Sequence, residues 1–255
     1  MPFPGIPDSV LDALASPPDA EREALRTAVA TLAEPPDAPL ASILDFGAML
    51  LAANTVVNLC GARDWPTLIE AHLIDCVLAA AALPEDARTV LDLGSGGGLP
   101  GLVWASLFPE RHFHLCERNG KKAAFLDEAA SRLGFLHVDT HARQGEEVLP
   151  AADPRVDLVT ARAVAPLERL LPRLARPTLP LRRLLVMAGP RGEEDFAALD
   201  ADRRGPWKLL EMRRYSLGDR RGERCTLLLA RKKQGLANHC AVPRTSPAGS
   251  STAAR

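Results

Sequence analysis

The pattern of apolar and polar positions changes character near Pro84. Before it, apolar residues recur at helical spacing. Asp19 to Ala33 reads as a short helix between the proline pairs Pro17-Pro18 and Pro35-Pro36. Leu40 to Cys60 and Thr67 to Leu83 read as longer helices; in the second, Leu68, His72, Asp75-Cys76 and Ala79 recur at helical spacing. Both carry apolar stripes that need a partner surface. After Pro84 the pattern becomes short apolar runs alternating with helical stretches. Thr89–Leu93, His112–Cys116, Leu136–Ala142, Val156–Thr160 and Leu184–Met187 read as strands. The intervening helices are Pro100–Leu107, Asn119–Leu133 (capped by Asn119 and ended by Gly134), Leu167–Ala175 and Glu193–Asp202. Trp207–Tyr215 and Arg224–Ala230 flank the turn-like Gly218-Asp219 and are suited to antiparallel pairing. Strand alternating with helix predicts an α/β fold, a parallel sheet covered on both faces. The expected organisation is a helical N-terminal cap with a flexible start over residues 1–84, a sheet-bearing domain over 85–234, and a disordered Ala/Ser/Pro-rich tail over 235–255.

Composition narrows the class. Hydrophobic residues make 47% and charged residues 25%, an ordinary globular balance that excludes a disordered or collagen-like chain. The longest apolar run, Cys76–Leu83, falls far short of the roughly 20 residues of a membrane helix. Met1–Val10 lacks the basic stretch and apolar core of a secretory signal. Five scattered cysteines, none in a Cys-x-x-Cys pair, indicate neither a disulfide framework nor a zinc site. The expectation is a cytoplasmic monomer with no membrane partner. A net charge of −1 conceals an asymmetry. Residues 1–88 hold 13 acids and four bases, whereas 89–255 hold 19 acids and 27 bases. Only five of the 31 bases are Lys. An Arg-rich half offers planar forks to phosphates and hints at nucleic acid; mutual neutralisation of the two parts is the alternative.

The strongest chemical signal is Asp92-Leu93-Gly94-Ser95-Gly96-Gly97-Gly98-Leu99-Pro100-Gly101, between an expected strand and an expected helix. Glycines there permit a sharp turn and close approach of a ligand. The position, the carboxyl end of the first strand, is where open α/β sheets bind ligands. Two cofactor readings compete. Gly96-x-Gly98-x-x-Gly101 is formally a dinucleotide fingerprint, which holds a pyrophosphate on a helix N-terminus. Gly94-x-Gly96-x-Gly98 after Asp92 looks instead like the first motif of methyltransferases that use S-adenosylmethionine, whose ammonium a carboxylate attracts directly or through water. Glu117, ending the second strand, suits ribose hydroxyls in either reading.

The runs LDLGSGGGLPG, ERNGKKAAFL and VTARAVAPL resemble the bacterial 16S ribosomal RNA guanine-N7 methyltransferases, also called glucose-inhibited division protein B or ribosomal RNA small subunit methyltransferase G. The resemblance spans roughly residues 40–230. Upstream, Asn54-x-x-x-Asn58-Leu59 and His72-x-x-Asp75 look like the family's Asn-rich and His/Asp motifs. The resemblance implies a class I, Rossmann-like sheet of seven mostly parallel strands with an antiparallel last strand, residues 85–234 being the methyltransferase domain. It implies S-adenosylmethionine as donor and, as substrate, N7 of a guanine in the 530 loop of 16S rRNA, free or in the small ribosomal subunit. By position, Gly94 and Leu99 match residues lining the donor site, Gly145 and Glu146 the pair flanking the adenine, and Arg162 an arginine after the fourth strand. The cofactor set is therefore Asp92, Gly94, Gly96, Gly98, Leu99, Glu117, Gly145, Glu146 and Arg162, with Arg162 also the catalytic candidate. The chain departs from the family at Ala53, Cys60 and Cys76, where an aromatic residue, Thr and Ser are usual.

The chemistry agrees with the resemblance. Guanine N7 carries a lone pair and no proton, so methylation there requires neither a general base nor a cysteine nucleophile. The fourth strand ends in Thr160-Ala161-Arg162-Ala163 and lacks the Asn/Asp-Pro-Pro-aromatic segment of many exocyclic-amine methyltransferases. Arg162 suits a phosphate or guanine O6, or else a structural ion pair. His112-x-His114 points two imidazoles to one strand face, but with no third ligand at sequence spacing nearby no metal is expected. His72 and Asp75 are expected to pack the cap and bond locally. Asn54 and Asn58, on one helix face, either read RNA or cap a loop. Arg118 with Lys121-Lys122, and the clusters Arg213-Arg214, Arg220-Arg221 and Arg231-Lys232-Lys233, are candidate RNA-backbone contacts.

Overall fold

The computed structural model describes residues 3–152 and 155–232. Its helical N-terminal part comprises α1 (Asp8–Ala13), α2 (Asp19–Ala30), α3 (Asp37–Ala53) and α4 (Trp65–Leu68); α4 runs through a π-helical stretch, Ile69–Leu73, into α5 (Ile74–Ala80). Then follow β1 (Thr89–Leu93), α6 (Gly101–Leu107), β2 (His112–Cys116), α7 (Gly120–Arg132), β3 (Val138–His141), α8 (Gly145–Val148) and β4 (Leu158–Arg162). The last elements are α9 (Leu167–Leu174), β5 (Arg183–Ala188), α10 (Gly192–Ala197), α11 (Ala201–Arg204), β6 (Trp207–Ser216) and β7 (Glu223–Arg231).

The seven strands form one sheet in the order β3-β2-β1-β4-β5-β7-β6. β1 to β5 run parallel, and β7 is antiparallel to both β5 and β6. The chain winds outward from β1 to β3 and returns to β4. The strand order therefore reverses beside β1, opening a crevice at the carboxyl ends of β1 and β4.

Strict alternation along the strands sorts the side chains into two cores. Val90, Phe113, Leu115, Leu158, Leu185 and Leu228 face α6, α7 and the N-terminal helices, whose Leu25, Ile43, Phe46, Leu68 and Leu73 join the same cluster. Leu91, Leu93, Val159, Ala161, Leu184, Val186, Leu227 and Leu229 face the other way, against Leu170, Leu171 and Leu174 of α9 and Phe196 of α10. The N-terminal helices thus complete one face of the sheet. The fully buried Trp104 of α6 pins them, its indole N–H donating to the Cys76 carbonyl at 2.7 Å.

Several element boundaries differ from the sequence pattern for identifiable reasons. The helix expected from Thr67 begins at Trp65, because the Asp64 carboxylate accepts from the Thr67 N–H and Pro66 suits the first turn. The helix expected to reach Cys60 ends at Ala53. β3 starts at Val138, and the expected strand residue Leu136 is almost fully exposed. The span Glu193–Asp202 divides in two, the Asp200 side chain capping α11. β4 runs from Leu158 to Arg162 and not from Val156 to Thr160, so this arginine is the last residue of the strand and not a residue after it. The expectation of no further ligand near the His112-x-His114 pair fails. Parallel pairing sets Asp139 opposite His114 and His141 opposite Cys116, on the same face as both histidines. The expected tail lies outside the described residues, within which no helix is long and apolar enough to cross a membrane.

Replacing Trp104 by Phe removes the indole hydrogen bond to the Cys76 carbonyl and leaves a void between α5 and α6. The expected cost is about 2–3 kcal/mol of unfolding free energy, read as a lower urea midpoint at an unchanged m-value.

Candidate active site

The glycine loop is stitched to the end of β2. The Ser95 N–H donates to the Cys116 carbonyl at 3.0 Å, while the Ser95 hydroxyl donates to the Asp92 carbonyl at 2.9 Å and accepts from the Cys116 N–H at 3.0 Å. The Gly96 N–H donates to Glu117 Oε2 at 3.1 Å, and Glu117 Oε1 accepts from the Asn119 N–H at 2.8 Å. Gly96 has φ +57°, and a Cβ there would meet no heavy atom closer than 3.8 Å. A side chain at this position is thus strained and directed into open space. Asp92 alternates to the α6 face, where Oδ2 accepts from the Gly101 N–H at 3.1 Å. Burial raises its carboxyl to about 7, against the opposing pull of the Gly101 hydrogen bond.

Above this loop lies a cleft of about 780 Å³, within the range of small-molecule sites. Gly94, Gly96, Leu99, Glu117, Gly145, Glu146 and Arg162 all line it. Asp92 and Gly98, expected at the cofactor, are not among its lining residues. Asp92 is buried beneath the loop, and Gly98 packs against Leu102 and Phe46, joining the loop to α3. At one end, Gly145 opens α8 so close to β1 that a Cβ would come within 2.5 Å of Leu93. The next residue, Glu146, pairs through Oε1 with Arg173 Nε at 2.5 Å, while its buried Oε2 has no hydrogen-bond partner. That oxygen is a buried acceptor which a ligand N–H or O–H would satisfy.

At the other end, Arg162 meets the N-terminal helices. Its Nε and one terminal nitrogen lie 3.2 and 3.1 Å from Asp75 Oδ2, and its terminal NH₂ donates to His72 Nδ1 at 3.0 Å. A guanidinium has only donors, so Nδ1 is the accepting nitrogen and His72 is neutral. Burial, then the Arg162 charge, lowers His72 to about 4. Asp75 Oδ1 accepts from the Tyr215 hydroxyl at 2.8 Å. The expected local His72–Asp75 pairing is thereby replaced by convergence of both on Arg162. Tyr215, absent from the sequence candidates, completes the group from β6. Ala163, next along, is held at φ +54°, a conformation rare for a residue with a Cβ.

The two asparagines take different roles. Buried Asn54 donates to the Cys60 and Ala62 carbonyls and accepts from the Leu59 and Cys60 N–H groups, fixing the loop that lines the cleft with Leu59, Cys60 and Gly61. Asn58 is exposed and lies past the end of α3. Among the basic candidates, Arg118 and Lys122 line the cleft with Arg143, Arg173 and Arg224. Several others bind the protein itself: Arg214 pairs with Glu193, Arg221 with Glu70, and Arg231 donates to the Ala175 and Leu179 carbonyls. Burial raises the Cys60, Cys76, Cys116 and Cys225 thiols above their ordinary value, which disfavours a thiolate nucleophile.

The profile of the GidB family, described as rRNA small subunit methyltransferase G, matches residues 40–204. The chain belongs to this family. Its match includes the glycine loop, Glu117, Glu146 and Arg162, so the cleft is built from family sequence. A curated family member from Halorhodospira halophila is 40% identical over 164 residues, 64% of this chain and 76% of that protein; its name is Ribosomal RNA small subunit methyltransferase G. The member of the same name from Sorangium cellulosum is 36% identical over 186 residues, 71% of this chain and 76% of its own. For that from Nocardioides sp. the figures are 39% over 150 residues, 58% and 59%. Among solved structures, MtNAS in complex with MTA and tNA superposes with a TM-score of 0.51 at 15% identity, covering 75% of this chain and 76% of that one. A mutant of MtNAS solved with S-adenosylmethionine gives 0.50 at 15% identity, covering 76% and 78%. These likenesses establish the shared fold.

The His72 environment makes a signed prediction. Below pH 6.5 the unfolded chain takes up a proton that folded His72 refuses until about pH 4, so the stability this residue contributes is lost as pH falls through that window. Asp92 acts oppositely, since its folded carboxyl binds a proton first as pH falls from about 7 toward 3.8. Comparison with His72→Gln isolates the histidine. The difference in unfolding free energy, wild type minus variant, is expected to shrink between pH 7 and pH 4 in urea titrations.

Proposed function

We propose that this chain transfers the methyl group of S-adenosylmethionine to N7 of a guanine in the 530 loop of 16S rRNA, presented by the RNA or by the small ribosomal subunit, in the cytoplasm. The observation that carries the reading is the pairing of Asp92 with the first turn of α6. A dinucleotide would bring its pyrophosphate to that helix terminus, where the Asp92 carboxylate already holds the Gly101 N–H. A donor without phosphate suffers no such conflict. The unpartnered Glu146 Oε2 supports a ligand carrying N–H or O–H donors at the α8 end. The names of the curated family members support ribosomal RNA as substrate.

Gly94, Gly96, Leu99, Glu117, Gly145 and Glu146 would hold the donor, with Asp92 supporting the loop from beneath. S-adenosylmethionine, when bound, supplies an electrophilic methyl on a sulfonium. The chain's own task is to orient the base. Arg162, fixed by Asp75 and His72 at the cleft wall, is aimed by a rigid pair of contacts and retains donor capacity for guanine O6 or a phosphate. The N7 lone pair needs no base, which agrees with a cleft where His72 is a neutral acceptor bound to Arg162 and Cys60 stays protonated. Arg118, Lys122 and Arg143 are suited to neutralising the RNA backbone.

Small subunits from cells lacking this protein are expected to accept radiolabelled methyl at one guanine, recovered as 7-methylguanosine by nucleoside mapping. Label found only on protein or on a small molecule contradicts the proposal. Gly96→Val is expected to abolish S-adenosylhomocysteine binding in calorimetry while the circular dichroism spectrum stays native. Arg162→Lys is expected to lower kcat by about 10–100-fold through lost alignment, with S-adenosylhomocysteine affinity held within about threefold.

A further inference from the structure

At the edge of the sheet remote from β6, an alternation of polar residues creates a cluster that methyl transfer does not use. β2 reads His-Phe-His-Leu-Cys and β3 reads Val-Asp-Thr-His. Phe113 and Leu115 enter the core with α6 and α7, which turns His112 and His114 to the opposite face. The parallel register brings Asp139 and His141 to that face beside them. The donor atoms of His112, His114 and Asp139 all lie within 4.8 Å of one another.

The spacings are those of a ligand shell. His112 Nε2 lies 2.8 Å from Asp139 Oδ2, His114 Nδ1 lies 3.6 Å from the same oxygen, and His141 Nε2 lies 3.1 Å from His114 Nδ1. Tetrahedral zinc with bonds of 2.0–2.1 Å sets its ligand atoms roughly 3.3 Å apart. His114 Nδ1 faces a carboxylate and a second imidazole at once, and its single ring position is either donor or acceptor. A cation among the donor atoms of His112, His114 and Asp139 would bind all three at once. One carboxylate and two imidazoles match the preferences of Zn²⁺ and neighbouring first-row ions, and are too nitrogen-rich for Mg²⁺ or Ca²⁺.

We infer that His112, His114 and Asp139 form a site for a divalent transition-metal ion, Zn²⁺ foremost, joining edge strand β3 to β2. Three protein donors would leave a fourth position of a tetrahedral ion to water. β3 has only four residues and one partner strand, so a cross-strand metal bond adds most where the sheet is weakest. The site also lies one step from the cleft. The His141 carbonyl accepts from the Glu117 N–H at 3.0 Å, and Glu117 holds the glycine loop.

The test uses the full, tag-free chain stripped of metal with a chelator. It is titrated with Zn²⁺ by calorimetry and with Co²⁺ by visible absorption. The expected result is one equivalent bound, visible Co²⁺ bands without the near-ultraviolet charge-transfer band of a thiolate ligand, and a melting temperature raised by about 5–10 °C at a hundredfold excess over Kd. Asp139→Asn and His112→Ala, both at the more exposed side of the cluster, are expected to weaken Zn²⁺ binding at least about tenfold while the metal-free proteins melt as the wild type does. Absence of saturable binding below about 1 mM overturns the proposal. A sulfur charge-transfer band, or binding unchanged in both variants, also overturns it by placing the ion elsewhere.

Discussion

Asp92 is the last residue of the central strand on its α6-facing side, its carboxylate under the first turn of α6, where free N–H groups and partial positive charge gather. Two consequences follow from that contact. The loop between Leu93 and Gly101 is drawn into a closed turn, because its far end is tied back to the strand that starts it. The helix terminus is also no longer available to an external anion. The same glycine spacing that serves a pyrophosphate in other α/β sheets is here combined with a buried carboxyl that already engages the Gly101 N–H beneath the loop. A cationic, phosphate-free nucleoside is compatible with such a loop. Burial holds the carboxyl near neutrality, which limits the cost of keeping it there.

The opposite wall of the cleft depends on a second buried charge. Arg162 ends β4 on the face that looks toward the N-terminal helices, and a guanidinium so placed requires partners. Asp75 and His72 come from the helix behind the sheet, and Tyr215 reaches Asp75 from the terminal antiparallel strand. Three distant parts of the chain therefore meet at one side chain, and the docking of the helical cap also aims Arg162. Asn54 does the equivalent for the Leu59–Ala62 loop, spending all its hydrogen-bonding capacity on the backbone of that loop. Cap packing and cleft geometry are the same set of interactions seen from two sides.

Much of this was legible from local pattern. Apolar runs ending in glycine marked β1, the Asn119 cap and Gly134 stop bracketed α7, and the spacing from Gly98 to Glu117 followed from one strand–helix–strand unit. What escaped depends on contacts between residues far apart in sequence. Tyr215 meets Asp75 across 140 positions, which no periodicity encodes. The pairing of His112 and His114 with Asp139 and His141 is a matter of register between separate strands. Asp92 was expected in the cleft because its proximity to the glycines is obvious in sequence, whereas the face it occupies follows from alternation with Val90 against α6. Leu136 failed as a strand residue because an apolar residue in a connecting turn looks no different from one in a strand. Several arginine clusters that read as an RNA surface are instead partly consumed by acids and carbonyls of the protein, which net charge cannot reveal.

The central claim is that the Asp92-supported loop accepts a sulfonium nucleoside and rejects a pyrophosphate. Isothermal titration of the purified chain with S-adenosylhomocysteine and, separately, with NAD tests it most directly. Saturable 1:1 binding of S-adenosylhomocysteine with no measurable heat from NAD is the predicted result. Tight binding of NAD with none of S-adenosylhomocysteine would contradict the account.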